Sequence, residues 1–136
     1  MSTQPVYFIT VQRKAYLAFI PFVGILLPAE STYGQIVAAE DGTHTNVEAV
    51  GNHIEIQGGQ HSSDHANVFH NFDQFNVTAE QTADFITDSA VQNVIGSVGG
   101  GDPSNIAGEL QVSGSDANLY LMNPAGVLID PEAQLN

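Results

Sequence analysis

Four side chains that can ligate a metal ion lie within one short segment of the chain: His61, Asp64, His65 and His70. Imidazole and carboxylate groups suit zinc or nickel. The surrounding sequence, "GGQHSSDHANVFH", is typical of a turn-rich loop, and nothing in it predicts a helix that would align two histidines on one face. We therefore interpret these side chains as a solvated polar loop, and we predict neither a metal site nor a cofactor.

The sequence also lacks the residues on which common hydrolase and lyase mechanisms depend. Its only fixed cations are Arg13 and Lys14, close to the N-terminus. A polysaccharide lyase generally relies on such a cation to take up a proton or to neutralise a uronate group, and no elbow motif marks a Ser-His-Asp triad. We predict that the chain is not an enzyme.

The charge of the chain restricts its partners. There are 15 Asp and Glu residues against 2 Lys and Arg, which gives a net charge of −13, and there is no cysteine. An acidic surface repels phosphate, so we predict no nucleic-acid binding, whereas basic partners or divalent cations are favoured. The carboxylates are spread singly and form no calcium loop. Without cysteine, neither a disulfide nor a thiolate metal site can form.

The N-terminal part has the layout of a secretory signal peptide. Residues 13–34 read "RKAYLAFIPFVGILLPAESTYG", a basic pair followed by an apolar run and then by small and polar residues. The apolar run is shorter than the ~20 residues that span a bilayer, and Pro21 and Gly24 interrupt it, which argues against a membrane anchor. We predict an extended leader and signal peptide over 1–34, cleavage before Gln35, use of the general inner-membrane secretion machinery, and no stable membrane insertion afterwards.

The remaining sequence predicts an all-β chain of short strands. Alternating segments such as "NHIEIQ", "GELQV" and "ANLYLMN" place their apolar residues on one face, "GVLI" reads as a short buried strand, and "GGGDPSN" and "SGSD" are turn-formers. A sandwich or barrel and a β-helix both fit. Asn and Gly at the strand ends, and the absence of an Asn-Gly or Asp-Gly hairpin between strong strands, favour the β-helix. Its ladder would be mostly parallel, and Asn residues at its bends could stack on one another in neighbouring coils.

One segment, "NVFHNFDQFNV", is unusually aromatic. It places Phe69, Phe72 and Phe75 at spacings of three, too dense for one face of an uninterrupted strand. We predict a strand, a bend and a second strand, with all three rings in the core. The polar residues between them would face water or tie down the bend: His70, Asn71, Asp73 and Gln74. The alternative is that exposed rings dock on a partner protein by adding a strand to its sheet.

The segment "NPAG" predicts a tight turn formed by Asn123, Pro124, Ala125 and Gly126. Proline at the second position presets φ, the Asn side chain can accept a hydrogen bond from the following backbone, and glycine tolerates positive φ.

These segments, in order, resemble the N-terminal two-partner secretion domain, or haemagglutination activity domain, of filamentous haemagglutinin-like exoproteins. The resemblance is carried by "NVFHNFDQFNV", "TADF", "VQNVIGSVGGGDPSNIAGELQV" and "ANLYLMNPAGVLIDPEAQLN", and it covers residues 35–136. It implies a right-handed parallel β-helix. It also implies recognition by an outer-membrane partner transporter, which has periplasmic receptor domains, and export through the periplasm to the cell surface or the medium.

The resemblance assigns roles to two groups of residues. One is a core or recognition motif: Asn67, Phe69, His70, Phe72, Phe75 and Asn76. The other is a secretion-linked turn, Asn123–Gly126, which could equally be a structural bend. Because the family domain continues further, we interpret residues 35–136 as a partial, truncated domain whose last coil has an open edge. The resulting prediction is the secretion-targeting part of an adhesin-like exoprotein. A free-standing surface adhesion module and a non-functional remnant of a larger exoprotein are the alternatives.

Overall fold

The computed structural model describes residues 35–136, so the predicted leader and signal peptide lie outside the described residues. The described part of the chain is all-β and contains no helix. Its twelve strands are β1 (Ile36–Ala38), β2 (Thr45–Val50), β3 (His53–Gly58), β4 (Gln60–His61), β5 (Asn67–Phe75), β6 (Thr82–Ile86), β7 (Asn93–Val98), β8 (Ser104–Ile106), β9 (Glu109–Ser113), β10 (Asn118–Met122), β11 (Val127–Ile129) and β12 (Gln134–Leu135).

The strands from β5 onwards wind into a β-solenoid of about three turns. The first coil contains β5 and β6, the second β7, β8 and β9, and the third β10, β11 and β12. Each strand pairs in parallel with the equivalent strand of the next coil, so that β5, β7 and β10 form one sheet and β6, β9 and β12 another. Strands β8 and β11 form the short third side. The predicted parallel β-helix is therefore confirmed.

The N-terminal strands close one end of the solenoid with antiparallel pairs. Strands β1 and β4 both pair with the edge of β5, and β2 pairs with β3, which in turn is parallel to β6. A two-residue hairpin at Gly51-Asn52 joins β2 to β3, with Gly51 at φ 64°. This hairpin was not predicted from the sequence, where only Asn-Gly and Asp-Gly turns were considered; glycine at the first central position, as in Gly51-Asn52, also forms a two-residue hairpin.

The interior is a stack of aliphatic side chains around three phenylalanines. The ring centroids of Phe72 and Phe75 are 5.0 Å apart, and Phe85 lies 6.0 Å from Phe75. Each buried ring contributes roughly 2–3 kcal/mol through removal of apolar surface from water. Ile54 and Ile56 are buried against this cluster, as their alternation predicts.

A β-bulge explains the spacing of the phenylalanines. Val37 of β1 pairs with Gln74 and Ala38 pairs with Phe72, so Asp73 has no partner on β1. The extra residue returns Phe75 to the same face as Phe72 within one nine-residue strand. The predicted bend between two strands is wrong for this reason.

The same alternation corrects two further expectations. No bulge separates Phe69 from Phe72, so Phe69 points outwards and 39% of its surface is exposed, although its ring was predicted to lie in the core. His70, predicted to face water or the bend, shares the inward face with Phe72 and is 1% exposed.

The third coil is open to solvent on one side. A groove of about 370 Å³ runs along it, lined by apolar side chains that include Leu119, Leu121 and Val127. Leu135 also lines the groove and is exposed, and Leu128 on β11 is exposed as well. Within residues 35–136, no further coil is stacked on β10, β11 and β12. The prediction that "GVLI" is buried is wrong, because no strand of the described residues covers β11.

Close approach of successive coils predicts unequal effects for two adjacent glycines. A Cβ on Gly100 would lie 1.9 Å from the carbonyl oxygen of Asp73, whereas one on Gly99 would meet nothing within 4 Å. We expect Gly100→Ala to lower the free energy of unfolding by about 1–3 kcal/mol, since backbone must move to admit the methyl group. Gly99→Ala is the matched control. Equal urea midpoints for the two variants would contradict the packing described here.

The open coil predicts self-association of the polypeptide 35–136. Exposed apolar side chains next to unpaired strand edges favour contact between copies. We expect a molar mass that rises with concentration in size-exclusion chromatography with light scattering, and a lower mass for Leu128→Gln combined with Leu135→Gln. Val50→Gln, at an exposed apolar position on β2, should leave the association unchanged. A monomer that melts in one sharp transition at high temperature would contradict the prediction.

Candidate functional site

The segment Asn123–Gly126 forms a tight turn at one corner of the third coil. The Gly126 amide donates to the Asn123 carbonyl at 2.9 Å, and the Ala125 amide donates to Asn123 Oδ1 at 2.8 Å. Gly126 has φ 118°, which an L side chain rarely adopts. The turn therefore has the hydrogen bonds that its sequence predicts.

Asn123 fastens this turn to the coil beneath it. Its Nδ2 donates to the carbonyl oxygen of Asp102 at 2.9 Å and to Oγ of the buried Ser104 at 3.0 Å. In addition, the Ser104 amide donates to the Gly126 carbonyl at 2.9 Å. Pro124 and Ala125 project from the turn and are exposed. The Asn123 side chain thus has all its hydrogen bonds within the domain and holds an exposed Pro-Ala tip in place.

Asn76, from the predicted recognition motif, lies on the same corner. Its Oδ1 accepts a hydrogen bond from the Asn105 amide at 2.9 Å, and Asn105 follows Ser104 in the chain. The turn at Asn123 reaches the neighbouring residues Asp102 and Ser104 through hydrogen bonds, and a shallow cleft of about 420 Å³ beside Asn76 has Thr78 and Asp102 among its lining residues. The structure therefore brings together two groups of residues that lie far apart in the sequence. We call Asn76, Asp102, Asn105 and Asn123–Gly126 the corner site.

The other end of the recognition motif belongs to an asparagine ladder. Asn93 Nδ2 donates to Asn67 Oδ1 at 2.8 Å, and Asn118 Nδ2 donates to Asn93 Oδ1 at 3.2 Å. The three residues occupy equivalent register positions in β5, β7 and β10. Stacking of Asn between neighbouring coils, as expected from the sequence, is confirmed. The ladder lies at the opposite end of β5 from Asn76, outside the corner site.

The candidate metal ligands of the sequence are separated in the structure. His61 and His65 are neighbours, with ring centroids 5.4 Å apart. Asp64 instead accepts hydrogen bonds from Ser62 Oγ at 2.6 Å and from the Ala66 amide at 3.1 Å, which hold the pKa of its carboxyl group below the usual value. His70 points into the core. Within residues 35–136, no three His, Asp or Glu side chains are close enough to hold a metal ion together.

His70 is a buried titratable group in an apolar setting. Its ring centroid lies 5.6 Å from that of Phe85, and its Nδ1 is 3.3 Å from Thr45 Oγ1. Burial, with a smaller contribution from the charge of His61, lowers the pKa of His70 to about 4. The side chain is therefore neutral at neutral pH and acts as a core residue.

A buried polar cluster around Asp84 was not predicted from the sequence. Asp84 is 4% exposed, and its Oδ2 accepts hydrogen bonds from Ser113 Oγ at 2.9 Å and Gln111 Nε2 at 3.0 Å. His53 Nε2 lies 3.3 Å from the same oxygen. The carboxylate stands between the serine and the histidine, so the histidine cannot take a proton from the serine hydroxyl as in a hydrolase triad. No local pattern marks this cluster, because its members come from three strands.

The lowered pKa of His70 predicts an acid-sensitive fold. The unfolded chain takes up a proton on this residue near pH 6.5, whereas the folded chain does so only near pH 4. The contribution of neutral His70 to stability is complete above pH 6.5 and falls as the pH decreases to 4, by roughly 3 kcal/mol in total. In urea unfolding at pH 7 and pH 4.5, we expect His70→Leu to lose less stability than the unmodified chain. His65→Leu, at an exposed loop position, should behave as the unmodified chain does. An identical pH dependence for all three would contradict this assignment.

The comparisons with known proteins agree with the fold. No curated protein matches the chain. Residues 35–136 contain no helix long and apolar enough to cross a membrane. The family model of the two-partner secretion (TPS) domain matches residues 35–136, the whole of the described part of the chain. Domains of this family target exoproteins for secretion from Gram-negative cells through an outer-membrane partner transporter. On the length of that match, the chain belongs to the TPS secretion domain family.

Proposed function

We propose that residues 35–136 are the part of an exoprotein that the periplasmic receptor domains of its partner transporter recognise. The predicted signal peptide first directs the chain through the inner membrane by the general secretion machinery. The solenoid then presents a folded surface to the transporter. The exported protein is an adhesin-like surface or secreted protein, as the resemblance of the chain implies.

The corner site is the observation that carries this proposal. Asn123 directs its side chain entirely into the domain, while Pro124 and Ala125 are exposed at the tip of the turn. The Asn123 side chain donates two hydrogen bonds to the coil beneath, in addition to the one that it accepts within the turn. These hydrogen bonds fix the position of the exposed tip. A receptor that binds a fixed tip loses less conformational entropy than one that must order it. In this proposal Asn123 is a positioning residue, and the exposed Pro-Ala tip is the recognised surface.

A catalytic role finds no support in the described residues. Two arrangements there include serine, histidine and aspartate. In the Asp84 cluster the carboxylate is central, and in the loop that holds His61 and His65 the Ser62 hydroxyl donates to Asp64 and not to a histidine. The absence of Lys and Arg after Lys14 also removes the cation on which a polysaccharide lyase generally relies. We therefore propose targeting, without catalysis, as the function of the domain.

Secretion of the full chain with its partner transporter tests the proposal. The unmodified chain, Asn123→Ala, Asn123→Asp and Ala125→Glu are each co-expressed with the transporter encoded nearest to the chain, and the medium and periplasm are blotted. We expect the unmodified chain to reach the medium only when the transporter is present. Asn123→Asp keeps the acceptor for the Ala125 amide but loses both donated hydrogen bonds, so its export should fall together with that of Asn123→Ala. Asn52→Ala, in the distant β2–β3 hairpin, should be exported normally.

Ala125→Glu separates recognition from folding. Ala125 is exposed and its change leaves the anchor of Asn123 in place, so the domain should stay folded. Ala125→Glu protein that remains in the periplasm and resists protease would support recognition of the corner site by the transporter. Normal export of Ala125→Glu, with proteolysis of both Asn123 variants, would show that the turn is only a structural bend. Retention of the unmodified chain in the periplasm would oppose the targeting function itself.

A further inference from the structure

The outward face of the sheet formed by β5, β7 and β10 carries an apolar row that the corner site does not use. Phe69 is opposite Ile95 in the register of β5 and β7, and Ile95 is opposite Tyr120 in that of β7 and β10. Met122 lies two residues after Tyr120, on the same face. We call Phe69, Ile95, Tyr120 and Met122 the apolar stripe. Its members come one from each of the first two coils and two from the third.

The stripe is exposed although its side chains are large. Phe69 is 39% exposed, and Tyr120 and Met122 are each 50% exposed. Single exposed apolar residues are common on protein surfaces, whereas neighbouring large ones form the kind of patch through which proteins contact partners. The strands beneath are hydrogen-bonded in continuous parallel register, so the row is rigid and loses little entropy when a partner binds.

Carboxylates lie at both ends of the strands that carry the stripe. Asp64 and Asp116 precede β5 and β10, and Asp73 follows Phe69 on β5 with an exposed side chain. At the same end, Asp41 accepts a hydrogen bond from Asn71 Nδ2. No lysine or arginine occurs in residues 35–136, so these charges have no fixed cation within the described chain. The surface is an apolar band with negative ends.

We propose that the apolar stripe is a second docking surface for the receptor domains of the partner transporter. The complementary surface would present aromatic or aliphatic side chains flanked by Lys or Arg. A second copy of this chain is a poor occupant, since its own stripe carries the same negative ends and the two would repel. A membrane surface with anionic lipids is opposed by the same charges. The inference rests on the proposed function but concerns a face of the solenoid that the corner site does not include.

Binding of purified components tests the stripe directly. The full chain is purified from the periplasm of cells that lack the transporter, and the probe is the purified receptor-domain segment of the transporter encoded nearest to it. We expect Phe69→Ser and Tyr120→Ser each to raise the dissociation constant about tenfold or more, which is typical of buried aromatic anchors. Tyr120→Phe keeps the ring and should bind within about twofold of the unmodified chain. Raising the salt concentration should weaken binding of the unmodified chain, because opposite charges flank the band.

Two control substitutions show whether the effect belongs to the stripe. Val50→Ser on β2 and Ile86→Ser on β6 remove exposed apolar side chains from strands outside the sheet that carries the stripe, and they should leave binding unchanged. Urea unfolding of each variant checks that the fold is intact. Unchanged binding of Phe69→Ser and Tyr120→Ser, or no binding of the unmodified chain to the probe, would overturn the proposal. If Phe69→Ser and Tyr120→Ser lose self-association but still bind the probe, the stripe forms contacts between copies of the chain. That result would also overturn the proposal.

Secretion of the same variants separates this inference from the proposed function. In one outcome the unmodified chain is exported, and the stripe variants are exported and bind the probe as it does. That result would support targeting and would rule out the docking surface. Stripe-dependent binding without export of the unmodified chain would keep the docking surface and remove targeting. We expect the unmodified chain to be exported. We also expect Phe69→Ser and Tyr120→Ser to lose export in proportion to their loss of binding.

Discussion

Parallel pairing between successive coils is the interaction on which the rest of this structure depends. The first five residues of β7 each pair with an equivalent residue in β5 and with one in β10, so equivalent positions of the three coils meet at regular intervals. Asn67, Asn93 and Asn118 can therefore exchange hydrogen bonds. The same register produces the exposed stripe from Phe69 to Tyr120. One constraint thus produces both a polar ladder that stabilises the domain and an apolar row available to a partner.

The corners of the solenoid follow a different physical rule. At a corner the backbone leaves the ladder, and its amides and carbonyls need other partners. Asn76 and Asn123 supply them across coils, because an amide side chain can accept from one backbone group and donate to another. Residues that satisfy the backbone in this way also fix the shape of the exposed tip. A structural requirement and a recognition surface can therefore share the same side chains, and only variants that separate anchor from tip distinguish them.

Two buried polar side chains show how the fold accommodates groups that are costly to bury. His70 remains neutral, which removes the charge penalty at the expense of stability in acid. Asp84 has one oxygen with three polar neighbours and a second, buried oxygen without a hydrogen-bond partner. Both residues are held by side chains from other strands, so neither environment exists until the coils have stacked. The antiparallel strands at the N-terminal end contribute as well, since Thr45 and His53 come from them.

The amino-acid sequence was sufficient to predict the class of fold and the turn at Asn123–Gly126. Strand alternation at Ile54 and Ile56 is a local property, as is the combination of Asn, Pro and Gly in a tight turn, so both could be predicted from neighbouring residues. The order of the resembling segments was sufficient to indicate the family. Tertiary structure decided which faces of β5 are buried. The bulge at Asp73 exists only because β1 pairs there, and it places Phe75 inside while Phe69 remains outside. The Asp84 cluster and the corner site also depend on tertiary structure, because their residues meet only through the stacking of separate coils.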